Sequence, residues 1–213
     1  MIAALVPVKR LAQAKSRLRP VLSDGQRREL VLAMLEDVLR LTLGQPAIAT
    51  TAVVSVDEDV LAFARSLGAQ PIREPRSVRG LNAALAFAAD ALARQGVNGL
   101  LVLPADVPLT TPEDIEAILA AWQETSLVLC PSHNGGTSAL ALRPPQAIPF
   151  RFGPRSFAAY RRAAAERGLP VAVLSQPGLA LDIDRPEDLR AVLSGGPSHS
   201  REALRAMAVV AAV

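Results

Sequence analysis

What most constrains the fold of this 213-residue chain is a rhythm of short runs that are apolar on both faces, each followed by a segment of helical spacing. Residues 2–8 (Ile-Ala-Ala-Leu-Val-Pro-Val) and 99–104 (Gly-Leu-Leu-Val-Leu-Pro) show no polar alternation. Such strands must be covered on both sides, as in parallel sheets whose crossovers are helices. After the first run, Ser23 and Gln26 form a capping-box pattern, and Leu30, Met34, Leu35, Val38 and Leu41 keep helical spacing to Gly44. Residues 51–56 read as a second strand, with Asp57, Glu58 and Asp59 opening a helix that Gly68 stops. A short strand at 69–72, a polar loop, a helix over 81–95 and the central strand at 99–104 follow. Thr111, Pro112 and Asp114 then mark another helix start. Strands at 126–130 and 138–142 flank the turn His133-Asn134-Gly135-Gly136-Thr137, and a helix at 155–167 leads to a strand at 171–174. The pattern predicts a single-domain α/β fold, a doubly wound and mostly parallel sheet with ligands at the carboxyl ends of its strands.

Composition removes several classes of function. With 50% apolar residues the chain can build one large core. Lys9, Arg65, Asp90 and Asp106 interrupt every apolar segment before it reaches membrane-spanning length, and residues 1–8 are too short for a secretory leader. A cytoplasmic protein is expected. The single cysteine, Cys130, has only His133 and His199 as companions, which leaves no Cys/His zinc set, and it reads as a small buried hydrophobe. The net charge of +3 and a pI of about 9.7 suit an anionic ligand. Nucleic acid is not an expected partner, because the cations are scattered and aromatic platforms are few.

Chemistry concentrates in three places. The loop after the first strand carries five cations, among them the chain's two lysines, Lys9 and Lys15, against 21 arginines elsewhere and in the same loop. Lysines retained in an arginine-rich chain point to compact cations beside phosphate; chance placement is the other reading. Asp106 ends the central strand, and Asp182 and Asp184 stand two residues apart at the end of an apolar run, before Pro186. Strand alternation would place Asp182 and Asp184 on one side. Taken alone, that pair is either half of a cation site or a solvated loop with Asp184 capping the next helix. Since all three segments end at the same sheet edge, a cationic loop faces three carboxylates there. Magnesium and a polyphosphate are the partners this arrangement suits.

Several motifs resemble the guanylyltransferases of the deazaflavin coenzyme F-420 pathway, over residues 1–193. They are Val6-Pro7-Val8-Lys9 with Ala14-Lys15-Ser16-Arg17-Leu18, Gly80-Leu81-Asn82-Ala83-Ala84-Leu85, and Leu103-Pro104-Ala105-Asp106-Val107-Pro108-Leu109. Gly135-Gly136-Thr137-Ser138-Ala139-Leu140, Phe150-Arg151-Phe152-Gly153-Pro154-Arg155-Ser156-Phe157 and Leu181-Asp182-Ile183-Asp184-Arg185-Pro186 complete the set. The Phe-Arg-Phe-Gly-Pro-x-Ser-Phe element is the most specific of these. The resemblance implies a Rossmann-like nucleotidyltransferase domain of the kind shared with GT-A glycosyltransferases. It implies that Asp106, Asp182 and Asp184 hold one or two magnesium ions, and that Thr137, Gly153 and Ser156 hold the phosphate and carboxylate of an acceptor. It further implies that Lys9 and Lys15 contact the phosphates of GTP, while Gly80 and Asn82 contribute to the base or ribose pocket. Ser138 stands where the family often has Asn, and Arg185 where it often has Thr. Arg155 either adds a cation for the acceptor or faces solvent.

The implied reaction is attack of an acceptor phosphate oxygen on the α-phosphorus of GTP, with pyrophosphate leaving and no protein nucleophile. Asp106, Lys9 and Lys15 are its expected catalytic residues. Phosphoenolpyruvate, 2-phospho-L-lactate and 3-phosphoglycerate share the needed carboxylate and phosphate, and phosphoenolpyruvate is the acceptor first expected. The rivals are a sugar-nucleotide pyrophosphorylase, a glycosyltransferase using Asp182-Ile183-Asp184 as its metal motif, and a nucleotide-binding module without chemistry. Pyrophosphorylases of that kind commonly carry a glycine-rich first loop, whereas residues 9–19 contain no glycine. The catalytic domain is expected over 1–193, with 194–200 a flexible linker and 201–213 either a docked helix or a frayed end; a homodimer is left open.

Overall fold

In a computed structural model, described for residues 1–207, the first strand lies at the centre of the molecule. That strand, β1 (Ile2–Pro7), pairs in parallel with β2 (Thr50–Ser55) on one side and with β4 (Gly99–Val102) on the other, and β2 pairs in parallel with β3 (Gln70–Arg73). Beyond β4 come β6 (Thr137–Leu142), β5 (Leu127–Pro131) and β7 (Val171–Val173), giving the order β3-β2-β1-β4-β6-β5-β7. Only β6 runs against the others, pairing antiparallel with both β4 and β5. The start of β6 therefore lies at the edge where the other strands end.

Alternate residues of β1 serve opposite faces, with Ala3 and Leu5 in one apolar cluster and Ala4 and Val6 in the other. One face is covered by α1 (Asp24–Leu43), α2 (Glu58–Ser66) and α4 (Pro112–Ala121). The other is covered by α3 (Leu81–Arg94) and α5 (Ser156–Ala165). Burial of β1 on both faces is what its unbroken apolar run required. The helix starts follow local chemistry. Ser23 and Gln26 make a reciprocal capping box on α1, Thr111 and Asp114 make another on α4, and Asp57 caps α2.

Two segments depart from the sequence reading. The run before the aspartate pair is not a strand. Pro177–Ala180 forms a single helical turn, α6, and residues 181–184 continue extended without joining the sheet. Proline at the first position favours that turn. Gly178 permits it to pack tightly, because a Cβ there would collide with the Asp114 carboxylate and the Leu109 carbonyl. Ile183 is fully buried, and its N–H donates to the Asp106 carbonyl at 2.9 Å, which ties the pair to the end of β4.

Near the carboxyl terminus, residues 195–198 form a turn between α7 (Leu189–Ser194) and α8 (His199–Ala206). Helix α8 is docked on α1, where Asp37 accepts hydrogen bonds from the backbone N–H groups of His199 and Ser200 at 2.7 and 3.0 Å. The last part of the tail expectation, residues 208–213, lies outside the described residues.

Candidate active site

The order β3-β2-β1-β4 means that the chain leaves β1 toward one side of the sheet and β4 toward the other. The crevice at such a reversal is where open α/β sheets bind ligands. A cavity of about 680 Å³ opens there. Its walls include Lys9, Lys15 and Arg17 from the loop after β1, Asp106 after β4, Asn134 and Thr137 around the β5–β6 turn, Gly153 and Ser156 at α5, and Asp182 and Asp184. The antiparallel direction of β6 brings Thr137 into this group.

On the cationic side the loop folds as two 3-10 turns, Leu11–Gln13 and Ser16–Leu18, with Lys15 between them in a left-handed conformation (φ 52°). Non-glycine residues seldom adopt that backbone, and where they do the surroundings commonly hold them for function. The Lys15 ammonium donates to Asp106 Oδ2 at 2.8 Å and to Asp184 Oδ1 at 2.9 Å, with the side chain only 7% exposed. Burial acts to lower its pKa, but the two carboxylates outweigh burial and hold it above the ordinary lysine value. Arg17, mostly exposed, reaches Asp184 Oδ2 at 3.2 Å. Burial acts to raise the Asp184 carboxyl, yet Lys15 foremost, then Arg17 and Lys9, keep it below the ordinary carboxylate value. Asp184 does not cap the next helix; its N–H and that of Arg185 donate to Asp188 Oδ2 at 2.9 and 2.7 Å.

Asp182 has other partners. Asn134 Nδ2 donates to both of its oxygens at 3.3 and 3.2 Å, and His133 Nδ1 lies 3.5 Å from Oδ1. Burial, then the charges of Asp106 and Asp184, push its carboxyl above the ordinary value, so the three negative groups feel one another. Asn134 is aimed by the turn around it. Its Oδ1 accepts from Ser132 Oγ at 2.8 Å and from the Gly136 N–H at 3.0 Å, and a Cβ on Gly136 would approach Ser132 Oγ to 2.7 Å and Asn134 Oδ1 to 2.9 Å. His133 and Asn134 were legible from sequence only as turn residues, and Arg17 only as one cation in a basic loop.

The three aspartates do not converge as a metal triad. Among the described residues, no group of three or more His, Cys, Asp or Glu side chains surrounds a single metal position. The reason is visible in the partners: Lys15 lies between Asp106 and Asp184, and Asp182 is turned toward Asn134. The donor chemistry nonetheless fits magnesium. That ion is ordinarily held by one or two carboxylates and completes its shell with water and substrate phosphate oxygens, and Asp106 and Asp184 lie close enough to share one cation.

Across the cavity, Ser156 Oγ donates to Thr137 Oγ1 at 2.9 Å, and both residues are buried. Ser156 is the first residue of α5, whose N-cap Arg155 is left-handed (φ 58°) and supplies no side-chain cap. Uncapped N–H groups at a helix start suit an anion. Gly153 (φ 138°) makes the preceding turn, and its carbonyl accepts from the Ser156 N–H. Ser138 also reaches the cavity wall, with its hydroxyl given to the Cys130 carbonyl at 3.1 Å.

Gly80 and Asn82 are placed differently from the nucleotide contacts the resemblance implied. Neither lines the cavity, although Leu81 between them does. Gly80 (φ 84°) supplies the backbone that starts α3. Asn82 spends its amide on the backbone of Phe152: Nδ2 donates to the Phe152 carbonyl at 3.0 Å, and Oδ1 accepts from the Phe152 N–H at 2.7 Å. Tyr160 Oη accepts from the Arg151 N–H at 2.8 Å, and its ring packs edge-on against Phe152. The loop that carries Gly153 is thus fastened from two helices.

Comparison with known proteins identifies the fold and the family. A solved structure from Desulfovibrio desulfuricans G20 superposes with a TM-score of 0.82 at 19% identity, covering 99% of this chain and 97% of the other, which establishes a shared fold. A phosphoenolpyruvate guanylyltransferase from Sphaerobacter thermophilus is 42% identical over 91% of this chain and 93% of its own. A 2-phospho-L-lactate guanylyltransferase from Methanothermobacter thermautotrophicus is 39% identical (95% and 89% covered). A 3-phospho-D-glycerate guanylyltransferase from Phenylobacterium zucineum is 40% identical (92% and 91%). Residues 2–212 match the family described as guanylyl transferase CofC like, and the chain belongs to that family.

Proposed function

We propose that this protein joins GTP to a small phosphorylated carboxylic acid, releasing pyrophosphate, in the formation of coenzyme F-420. The observation that carries this reading is the division of one cavity into two unlike walls. A buried Lys15 with two carboxylates forms one wall, and the Thr137–Ser156 hydroxyl pair at the uncapped start of α5 forms the other. A triphosphate and an acidic acceptor placed on those walls would have their phosphates facing each other. An oxygen of the acceptor phosphate attacks the α-phosphorus, the bond from that phosphorus to the bridging oxygen of the β-phosphate breaks, and pyrophosphate departs with the electron pair.

The residues contribute position and charge, not a covalent intermediate. Lys9, Lys15 and Arg17 neutralise the leaving pyrophosphate, while Thr137, Ser156 and the first turn of α5 hold the acceptor. Asp106 and Asp184, with Asp182 beside them, would hold magnesium, which would supply positive charge to offset the negative charge developing on the reacting phosphates. Phosphoenolpyruvate is the acceptor we propose first. The three relatives named for different acids differ little in identity to this chain, so a few contacts near Ser138 and Gly153 would set the preference. The cytoplasm is the proposed location; no helix among the described residues is long and apolar enough to cross a membrane.

A coupled pyrophosphate assay tests the reading. Release should require GTP, magnesium and an acceptor together. Pyrophosphate formed without an acceptor, or no release with any of the three acids, would overturn it.

A further inference from the structure

Lys15 is unusual in where its charge goes. Its ammonium is 2.8 Å from Asp106 and 2.9 Å from Asp184, carboxylates supplied by two separate segments, while the side chain is almost wholly enclosed. The two 3-10 turns and the left-handed backbone at Lys15 aim it inward. An ion held by the same two oxygens would compete with the ammonium for the space between them. Two cations cannot share that seat. Nor can the seat stay empty at low cost, because Asp182 adds a third negative charge nearby.

We propose that Lys15 is a resident occupant of the cation seat between Asp106 and Asp184, so that a divalent ion reaches these carboxylates only together with a nucleotide's phosphates. The incoming phosphates give the ammonium a new partner as the metal takes its old ones, and the cation stays at the site where the leaving group needs it. Arg17 on the other oxygen of Asp184 keeps that carboxylate oriented during the exchange. The inference rests on the proposed function only in assigning the seat to magnesium, and its test requires neither an acceptor nor turnover.

The probe is Mn²⁺, followed by loss of its free EPR signal on titration with purified protein. Without nucleotide, the wild-type protein should bind Mn²⁺ weakly, and a non-hydrolysable GTP analogue should bring in a tight site. Lys15→Met should bind Mn²⁺ without nucleotide about tenfold more tightly or better, since a seat occupied nine-tenths of the time weakens apparent affinity by that factor. Mn²⁺ should also raise the melting temperature of Lys15→Met more than that of the wild type. Equal or weaker Mn²⁺ binding by the variant would overturn the proposal. If the variant does not fold, tight nucleotide-free Mn²⁺ binding by the wild type overturns it as well. Failure of guanylyl transfer would appear in the pyrophosphate assay and leave the Mn²⁺ comparison readable.

Discussion

Asn82 offers a sharp separation between a nucleotide contact and a support for the acceptor loop. Its amide makes a two-way pairing with the Phe152 backbone, at 3.0 and 2.7 Å, immediately before Gly153. Asn82→Ala removes both bonds and leaves the Phe152 N–H and C=O half-buried without those partners. Leaving such groups unpaired costs about 1–3 kcal/mol. If the cost falls on the ordered loop, acceptor affinity should drop by roughly 5- to 150-fold. Initial rates of pyrophosphate release with each substrate varied in turn should show the acceptor KM rising over that range while the GTP KM holds. Asn82→Asp keeps the acceptor oxygen for the Phe152 N–H and loses the donor, so it should fall between the two. A raised GTP KM with an unchanged acceptor KM would refute the reasoning and return Asn82 to the nucleotide pocket.

Other expectations follow from single contacts. Asp184→Ala should lower turnover by about two orders of magnitude or more, the scale of a lost electrostatic element; Arg17→Ala, removing one exposed cation while Lys9 and Lys15 remain on the same wall, should cost less than Asp184→Ala. Gly178→Ala forces a methyl group against Asp114 and Leu109, so it should destabilise by about 1–3 kcal/mol, at about 2–4 °C of melting temperature each. Gly196→Ala, with open space around its Cβ, should melt like the wild type. Burial foremost, then the charge of Asp114, pushes the Cys130 thiol from 9.0 up to about 12, so iodoacetamide should label it at pH 8 only after denaturation. Because that pKa is higher in the folded protein, the associated stability is complete below pH 9.0 and is lost as pH rises toward 12. Urea unfolding of the wild type against Cys130→Ala across this window should show the difference shrinking.

What could be read from sequence was what local chemistry decides. The capping boxes at Ser23–Gln26 and Thr111–Asp114 need only four consecutive residues, and both form as the pattern requires. The apolar runs of β1 and β4 fixed their place inside the sheet, and thereby put Lys15 and Asp106 at one edge. The stretch before Asp182 misled because Leu179 and Leu181 look like strand residues, whereas Pro177 and the clearance Gly178 leaves for α4 select a helical turn. Partner choice was beyond pattern reading. Whether Lys15 meets a phosphate or a carboxylate, and whether Asn82 faces a base or a backbone, depends on segments 91 and 70 positions away. Asn134 was hidden for the same reason, since its role depends on Asp182, 48 residues on.

If one cavity joins a guanylyl group to a phosphorylated acid, the products themselves show it most directly. Purified protein is incubated with GTP, magnesium and one acid at a time, and the products are weighed by mass spectrometry. The expected product has the mass of GMP joined to the acid through a diphosphate linkage, strongest with phosphoenolpyruvate and matched by an equal yield of pyrophosphate. GTP consumed without an acid, or a conjugate formed only with sugar phosphates, would contradict the account.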